Sequence, residues 1–172
     1  MPRRLRPVEL DFTAVAPVRL AFEAMLQAPP PAVYRSIAVE VGSLPAWFTP
    51  VASAVPFDDG ARRTIRLRGG VRFEETILAA EPDLRYAYRV DLTNAPAVSA
   101  LAEEWALSPE GPGTRLRWTM AADGPTPFRA GLRLASPGLG LSFRRAAAAL
   151  DRRLTPARRP SPGSARQQRR TG

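Results

Sequence analysis

The stretch Val71-Arg72-Phe73-Glu74-Glu75-Thr76-Ile77-Leu78-Ala79-Ala80-Glu81-Pro82-Asp83-Leu84-Arg85-Tyr86-Ala87-Tyr88-Arg89-Val90-Asp91-Leu92 decides the fold. Phe73, Glu75 and Ile77 share one parity, and Arg72 and Glu74 the other. Tyr86, Tyr88 and Val90 likewise alternate with Arg85, Arg89 and Asp91. A period of two puts successive side chains on opposite faces of a strand. Pro82-Asp83 interrupts the pattern as a tight turn. The segment reads as two antiparallel strands, 71–81 and 84–92, each with one face turned inward.

The neighbours extend the pattern. Gly69-Gly70 is a hairpin signal that joins a strand over 61–68 to the first of these two. Strands over 98–108 and 114–122 follow, connected through the loop 109–113. Upstream, residues 19–27 alternate with Leu20, Phe22, Ala24 and Leu26 on one side, until Pro29-Pro30-Pro31 stops the strand. Residues 32–38 and 43–48 read as two short helices, with Pro31 suited to open the first. After Pro125 the period changes. Phe128, Leu132, Ala135, Leu139, Phe143, Ala146, Leu150 and Leu154 fall at helical spacing. A long helix over 126–154 is expected, kinked or split at Ser136-Pro137-Gly138. The fold class is α+β: a curved antiparallel sheet, two short helices after the first strand, and a long C-terminal helix across one face.

One domain over 8–154 accounts for most of the 172 residues. Residues 1–7 are expected to fray. Residues 155–172 are rich in Arg and Pro and hold no large apolar side chain, so disorder is expected there.

Composition narrows the chemistry. The chain has no Cys and no His. Disulfide scaffolds, Cys- or His-ligated metals, thiol nucleophiles, Ser-His-Asp triads and imidazole bases are therefore excluded. Asp58-Asp59 forms a turn pair without enough oxygen ligands around it for a metal, so no metal site is expected. All 25 basic residues are Arg. Residues 19–150 carry 15 Arg against 13 acids, whereas residues 151–172 carry 7 Arg against Asp151 alone. The domain is nearly neutral and the excess charge is a tail. That argues against a nucleic-acid-binding core and leaves the tail a weak contact with anionic surfaces. No apolar run approaches the about 18 residues of a membrane span, and no apolar segment follows the basic start, so the expected location is cytoplasmic. Abundant Arg, Ala and Pro without Lys point to a GC-rich bacterial coding sequence.

Several segments together carry a family likeness. Ala28-Pro29-Pro30-Pro31-Ala32-Val33-Tyr34 and Leu44-Pro45-Ala46-Trp47-Phe48-Thr49-Pro50 resemble the opening of the polyketide cyclase/dehydrase and lipid-transport group. That group belongs to the START-like (SRPBCC, helix-grip) superfamily. Glu74-Glu75-Thr76-Ile77, Glu81-Pro82, Tyr86–Val90, Glu104–Pro109, Gly113–Trp118 and Ser142–Leu154 agree in order, so the likeness covers residues 8–154. It implies a helix-grip fold with a hydrophobic cavity between sheet and long helix. It also implies a lipid, isoprenoid or polyketide-like ligand and no metal or nucleotide cofactor. Such motifs specify a fold rather than a function.

Strand parity nominates the interior. Leu20, Phe22 and Ala24 face inward, as do Ile65 and Leu67, and Phe73, Glu75 and Ile77. Tyr86, Tyr88 and Val90 join them, with Leu101, Glu103, Trp105 and Leu107, and Leu116, Trp118 and Met120. The opposite face is a ladder of arginines and acids, read as a solvated surface with cross-strand charge pairs. Candidate ligand contacts on the strands are Phe22, Phe73, Ile77, Tyr86, Tyr88, Trp105, Trp118 and Met120. The long helix adds Phe128, Leu132 and Phe143. Glu75 and Glu103 break the apolar interior. Glu75 should lie across from Val90, and Glu103 across from Tyr86 or Tyr88. An apolar setting raises a carboxyl pKa. Glu75, Glu103 and Tyr88 are therefore the candidate catalytic acid–base groups, set against a purely structural pairing with an Arg or a water.

Three functions are carried forward. The first is binding of a small hydrophobic molecule as carrier, sequestering protein or sensor. The second is a cofactor-independent cyclase, aromatase or dehydratase using those carboxyls and Tyr88. The third is an interaction protein docking through its basic tail.

Overall fold

The computed structural model describes residues 1–155. The expected disorder of the tail therefore lies, apart from Thr155, outside the described residues. The strands are β1 (Arg3–Arg4), β2 (Val18–Leu26), β3 (Val51–Phe57), β4 (Arg62–Leu67), β5 (Arg72–Glu81), β6 (Arg85–Thr93), β7 (Ala100–Glu110) and β8 (Gly113–Asp123). The α-helices are α1 (Phe12–Val15), α2 (Pro30–Tyr34) and α3 (Thr126–Leu154). A π-turn over Arg35–Val39 extends α2, and a 3-10 turn over Val41–Ala46 follows it. The sheet is antiparallel, in the order β2-β8-β7-β6-β5-β4-β3. The α+β reading holds, with α3 lying on β2 and β8 over the inward face.

The central register is the one that parity requires. Glu75 lies opposite Val90, Tyr88 opposite Glu103, and Trp105 opposite Trp118. The charged face shows the expected cross-strand pairs, Arg62 with Glu74 and Arg85 with Glu104, each at 3.8 Å, beside shorter contacts within a strand such as Arg72 with Glu74 at 3.0 Å. Part of that face is covered: Val8, Phe12 and Ala16 pack on Ala100, Ala102 and Ala121.

Four sequence expectations are corrected. Residues 1–7 are tied down rather than frayed at Arg3–Arg6. β7 parts from β6 beyond Arg89–Ala102, and β1 takes the vacated edge opposite Leu92 and Thr93. The Leu5 amide then donates to Asp91 and the Arg6 amide to Ser99. A further strand, β3, occupies 51–57, where Pro50 and Pro56 had masked it; prolines are tolerated there because β3 is an edge. The loop over 109–113 shrinks to a two-residue turn, because Glu110 pairs with Gly113. Finally, of the kink or split expected at Pro137, the split is ruled out, because α3 runs unbroken over Thr126–Leu154. The carbonyl that Pro137 frees belongs to exposed Arg133, where water can satisfy it.

Packing along α3 is uneven. No residue is buried before Gly140, and Leu134 is 82% exposed. Beyond that point Phe143, Ala146, Ala147 and Leu150 are buried. Gly140 permits the approach: a β-carbon there would lie 2.9 Å from the Phe22 ring. Phe143 is fully buried and stacks on Trp118 at 6.0 Å, with Trp105 at 6.1 Å. Asp151 anchors the far end of the helix, accepting the Gln27 and Ala28 amides through Oδ1 at 2.9 and 3.0 Å. Phe143→Ala should cost about 3–5 kcal/mol in urea unfolding, whereas Leu134→Ala should stay within about 0.5 kcal/mol. Equal costs would refute the uneven packing of the helix.

Candidate functional site

A cavity of about 170 Å³ lies between the inward sheet face, the Leu44–Val51 segment and the middle of α3. Of the residues nominated from sequence, Phe73, Glu75, Tyr88, Glu103, Trp105, Trp118 and Met120 line it. Others lie elsewhere. Phe22 and Phe143 are packed into the aromatic core behind Trp118. Phe128 and Leu132 pack on the cluster containing Val98 and Ala122. Tyr86 and Ile77 belong to the main core but not to the cavity wall. α3 instead contributes Leu139 and Ser142, and the 3-10 segment contributes Leu44 and Phe48. Phe48 stands edge-on to Trp105 and Trp118, at 6.2 and 6.0 Å.

The main residue missed from sequence is Arg63. It is 2% exposed, lines the cavity, and lies directly opposite Glu75 in the β4–β5 ladder. Its Nε donates to Glu75 Oε2 at 2.6 Å. Its guanidinium also sits over the Tyr88 ring at 3.9 Å and near the Tyr86 ring at 5.2 Å. The signal was parity, since Arg63 shares its face with Ile65 and Leu67. The register depended on the turn. Leu67 bonds Val71 across a three-residue loop, Arg68-Gly69-Gly70, with Gly70 at φ +84°. A two-residue loop would have set Arg63 opposite Thr76.

Glu103 belongs to a second set of hydrogen bonds. Tyr88 Oη donates to Glu103 Oε2 at 2.6 Å, and Trp118 Nε1 donates to the same oxygen at 3.1 Å. Trp105 Nε1 donates to Tyr88 Oη at 3.1 Å. Glu103 keeps some exposed surface, and that surface faces the cavity. The two sets meet at Tyr88, which takes Arg63 on its ring and Glu103 at its hydroxyl.

Electrostatics follow from two carboxyls sharing one guanidinium away from water. Burial pushes the Glu75 carboxyl up to about 7; Arg63 pulls against that, and Glu103 adds to it. Burial also raises Glu103, opposed by the Tyr88 and Trp118 donors. Burial opposes charge on Arg63 as well, but Glu75 and the two tyrosines outweigh it, so the guanidinium stays charged. The carboxyl is then the side of the pair that titrates. Tyr88 is raised well above the ordinary phenol value by burial and by Glu103, which keeps its proton on and makes it a donor.

A larger groove of about 460 Å³ lies on the other sheet face beside α1. Its arginines are already engaged: Arg85 with Glu81, Arg117 with Glu23, and Arg19 with the Thr13 carbonyl. Among the described residues no cluster of three or more acidic side chains could hold a metal. No helix among them is long and apolar enough to cross a membrane.

Comparison with known proteins agrees with this architecture. The family model described as polyketide cyclase / dehydrase and lipid transport matches residues 17–155. The uncharacterized protein Rv2574 of Mycobacterium tuberculosis is 33% identical over 143 residues, which is 80% of this chain and 85% of that protein. A START superfamily protein from Mycobacterium smegmatis superposes with a TM-score of 0.55 at 13% identity, covering 73% of this chain and 94% of that one. The di-domain ARO/CYC BexL from the BE-7585A biosynthetic pathway superposes with a TM-score of 0.63 at 20% identity. It covers 78% of this chain and 45% of that one. Likeness at such identities shows the fold.

Two outcomes are expected. Arg63→Met should cost about 3–5 kcal/mol in urea unfolding by stranding Glu75, and adding Glu75→Leu should recover most of it. An additive double variant would mean the pair is not coupled. Glu103→Gln tests titration. A raised folded pKa contributes stability below the ordinary carboxylate range, and that stability is lost as pH rises through the folded value. The melting temperature of Glu103→Gln should therefore gain on the wild type from acid to neutral pH. A pH-independent difference would contradict the raised value.

Proposed function

Because the chain belongs to the polyketide cyclase / dehydrase and lipid transport family, we propose that it binds a small hydrophobic molecule between the sheet and α3. The role is that of a carrier, sequestering protein or sensor. The observation that carries this reading is the cavity itself: an apolar space with aromatic walls and one converging polar cluster. That combination is what a specific small-molecule site requires, with apolar surface for affinity and few polar groups for orientation.

A second reading is a cofactor-independent cyclase or dehydratase. The cavity-facing carboxyl of Glu103, raised by burial, favours it, since a carboxyl held above its ordinary range is suited to exchange a proton with a substrate oxygen. Tyr88 serves it poorly as a base, because its hydroxyl already donates to Glu103 and holds its proton. Glu75 is likewise occupied by Arg63.

Native mass spectrometry followed by solvent extraction tests the binding reading. A one-to-one adduct of a small apolar molecule is expected. Ser142→Trp, which fills the cavity from α3, should lose the adduct while keeping the melting temperature within a few degrees. An adduct retained at full occupancy by the filled variant would place the ligand elsewhere. Conversion of the extracted molecule by wild type but not by Glu103→Gln would move the protein into the enzyme class.

A further inference from the structure

The cavity also specifies the chemistry of its occupant, provided that it binds a small hydrophobic molecule as proposed. Size comes first. A cavity of about 150 Å³ with apolar walls takes up benzene. At about 170 Å³, this one suits a single ring with one or two small substituents. Trp105, Trp118 and Phe48 supply flat or edge-on aromatic surfaces for such a ring.

The polar end is decided by Glu103. Its Oε2 already accepts two hydrogen bonds, from Tyr88 and Trp118. Its Oε1 has no donor among the described residues, and the side chain opens on the cavity. That oxygen is not sealed in the wall but open to the cavity, so an occupant that displaces water from it must donate in its place. The cavity therefore lacks one hydrogen-bond donor at a defined place.

Charge then selects among donors. Glu75 and Glu103 share one guanidinium, and Arg63 already contacts Glu75 at 2.6 Å. An entering carboxylate would add a third acid to that cluster. An entering ammonium would meet Arg63, whose charge lies over the Tyr88 ring. A neutral hydroxyl avoids both costs.

We propose that the cavity selects a neutral, single-ring ligand that presents a hydroxyl hydrogen to Glu103 Oε1, and that it rejects carboxylates. Phenols and benzylic alcohols are the class that fits. Glu103 then acts as a specificity-determining residue, with Tyr88 and Trp118 holding its other oxygen in place.

Calorimetric titration at neutral pH with four probes of one shape tests this. The probes are 4-methylphenol as donor, 4-methylanisole as acceptor only, toluene with neither group, and 4-methylbenzoate as anion. Wild type should bind 4-methylphenol about tenfold or more tighter than toluene, the worth of one hydrogen bond to a carboxyl. It should bind 4-methylanisole no tighter than toluene and should not bind 4-methylbenzoate. Glu103→Gln keeps an oxygen for Tyr88 and Trp118 and turns an amide N–H toward the cavity. In that variant 4-methylanisole should gain on toluene, and the margin of 4-methylphenol should shrink. Equal wild-type affinities for 4-methylphenol and toluene would overturn the head-group selection and leave cavity binding standing. Tightest binding of 4-methylbenzoate would overturn it in favour of Arg63 as an anion anchor. If no probe binds while the purified protein carries an extractable adduct, the ligand size is wrong. If there is neither probe binding nor adduct, the binding reading itself fails.

Discussion

Arg63 is a buried guanidinium on the inward face of a sheet, and two carboxyls depend on it. It meets Glu75 directly across the β4–β5 ladder and lies over the ring of Tyr88, whose hydroxyl holds Glu103. Burying three ionisable groups in an apolar cavity is unfavourable unless each finds a partner. Here the cost is limited by arranging them as one ion pair and one hydrogen-bonded carboxyl joined through a phenol. The cavity is thereby polar at one place and apolar elsewhere. Its capacity to orient a ligand comes from that asymmetry.

The rest of the fold keeps this cluster dry without filling the space above it. The C-terminal half of α3 is fastened by Phe143, Gly140 and Asp151. Its N-terminal half carries no buried side chain, and the cavity lies at the junction, under Leu139 and Ser142. Phe143 backs the two tryptophans whose indole N–H groups complete the polar cluster. Loss of packing at Phe143 would therefore reach Glu103 through Trp118 and Tyr88 through Trp105.

Much of this was legible in the residues. Period-two alternation within each strand put Glu75, Tyr88 and Glu103 on one face, but Glu75 meets Val90 only because a bulge between Ile77 and Ala79 offsets the three-residue turn that follows Glu81. The spacing of Phe143, Ala146 and Leu150 marked the packed half of α3. Arg63 escaped because it stands among Arg62, Arg66 and Arg68, which face outward, and because loop length rather than strand pattern decided its partner. Phe128, Leu132 and Phe143 were nominated together for the cavity because helical spacing gives a face but not a depth. Along α3, one end packs on a satellite cluster and the other on the main core. β3 was hidden by its prolines and β1 by its length of two residues.

Family membership makes an interior cavity an unsurprising feature of this chain; the arrangement of Arg63, Glu75, Tyr88 and Glu103 is what gives this cavity its own chemistry. The most direct test of that arrangement is a carbon-13 NMR titration of the glutamate side-chain carboxyls in the intact protein. Two of them should titrate above the ordinary glutamate range, with Glu75 near 7, and both should be assignable by substitution to Gln. If every glutamate titrates at its ordinary value, the two carboxyls are not held away from water, and the account of the cavity falls.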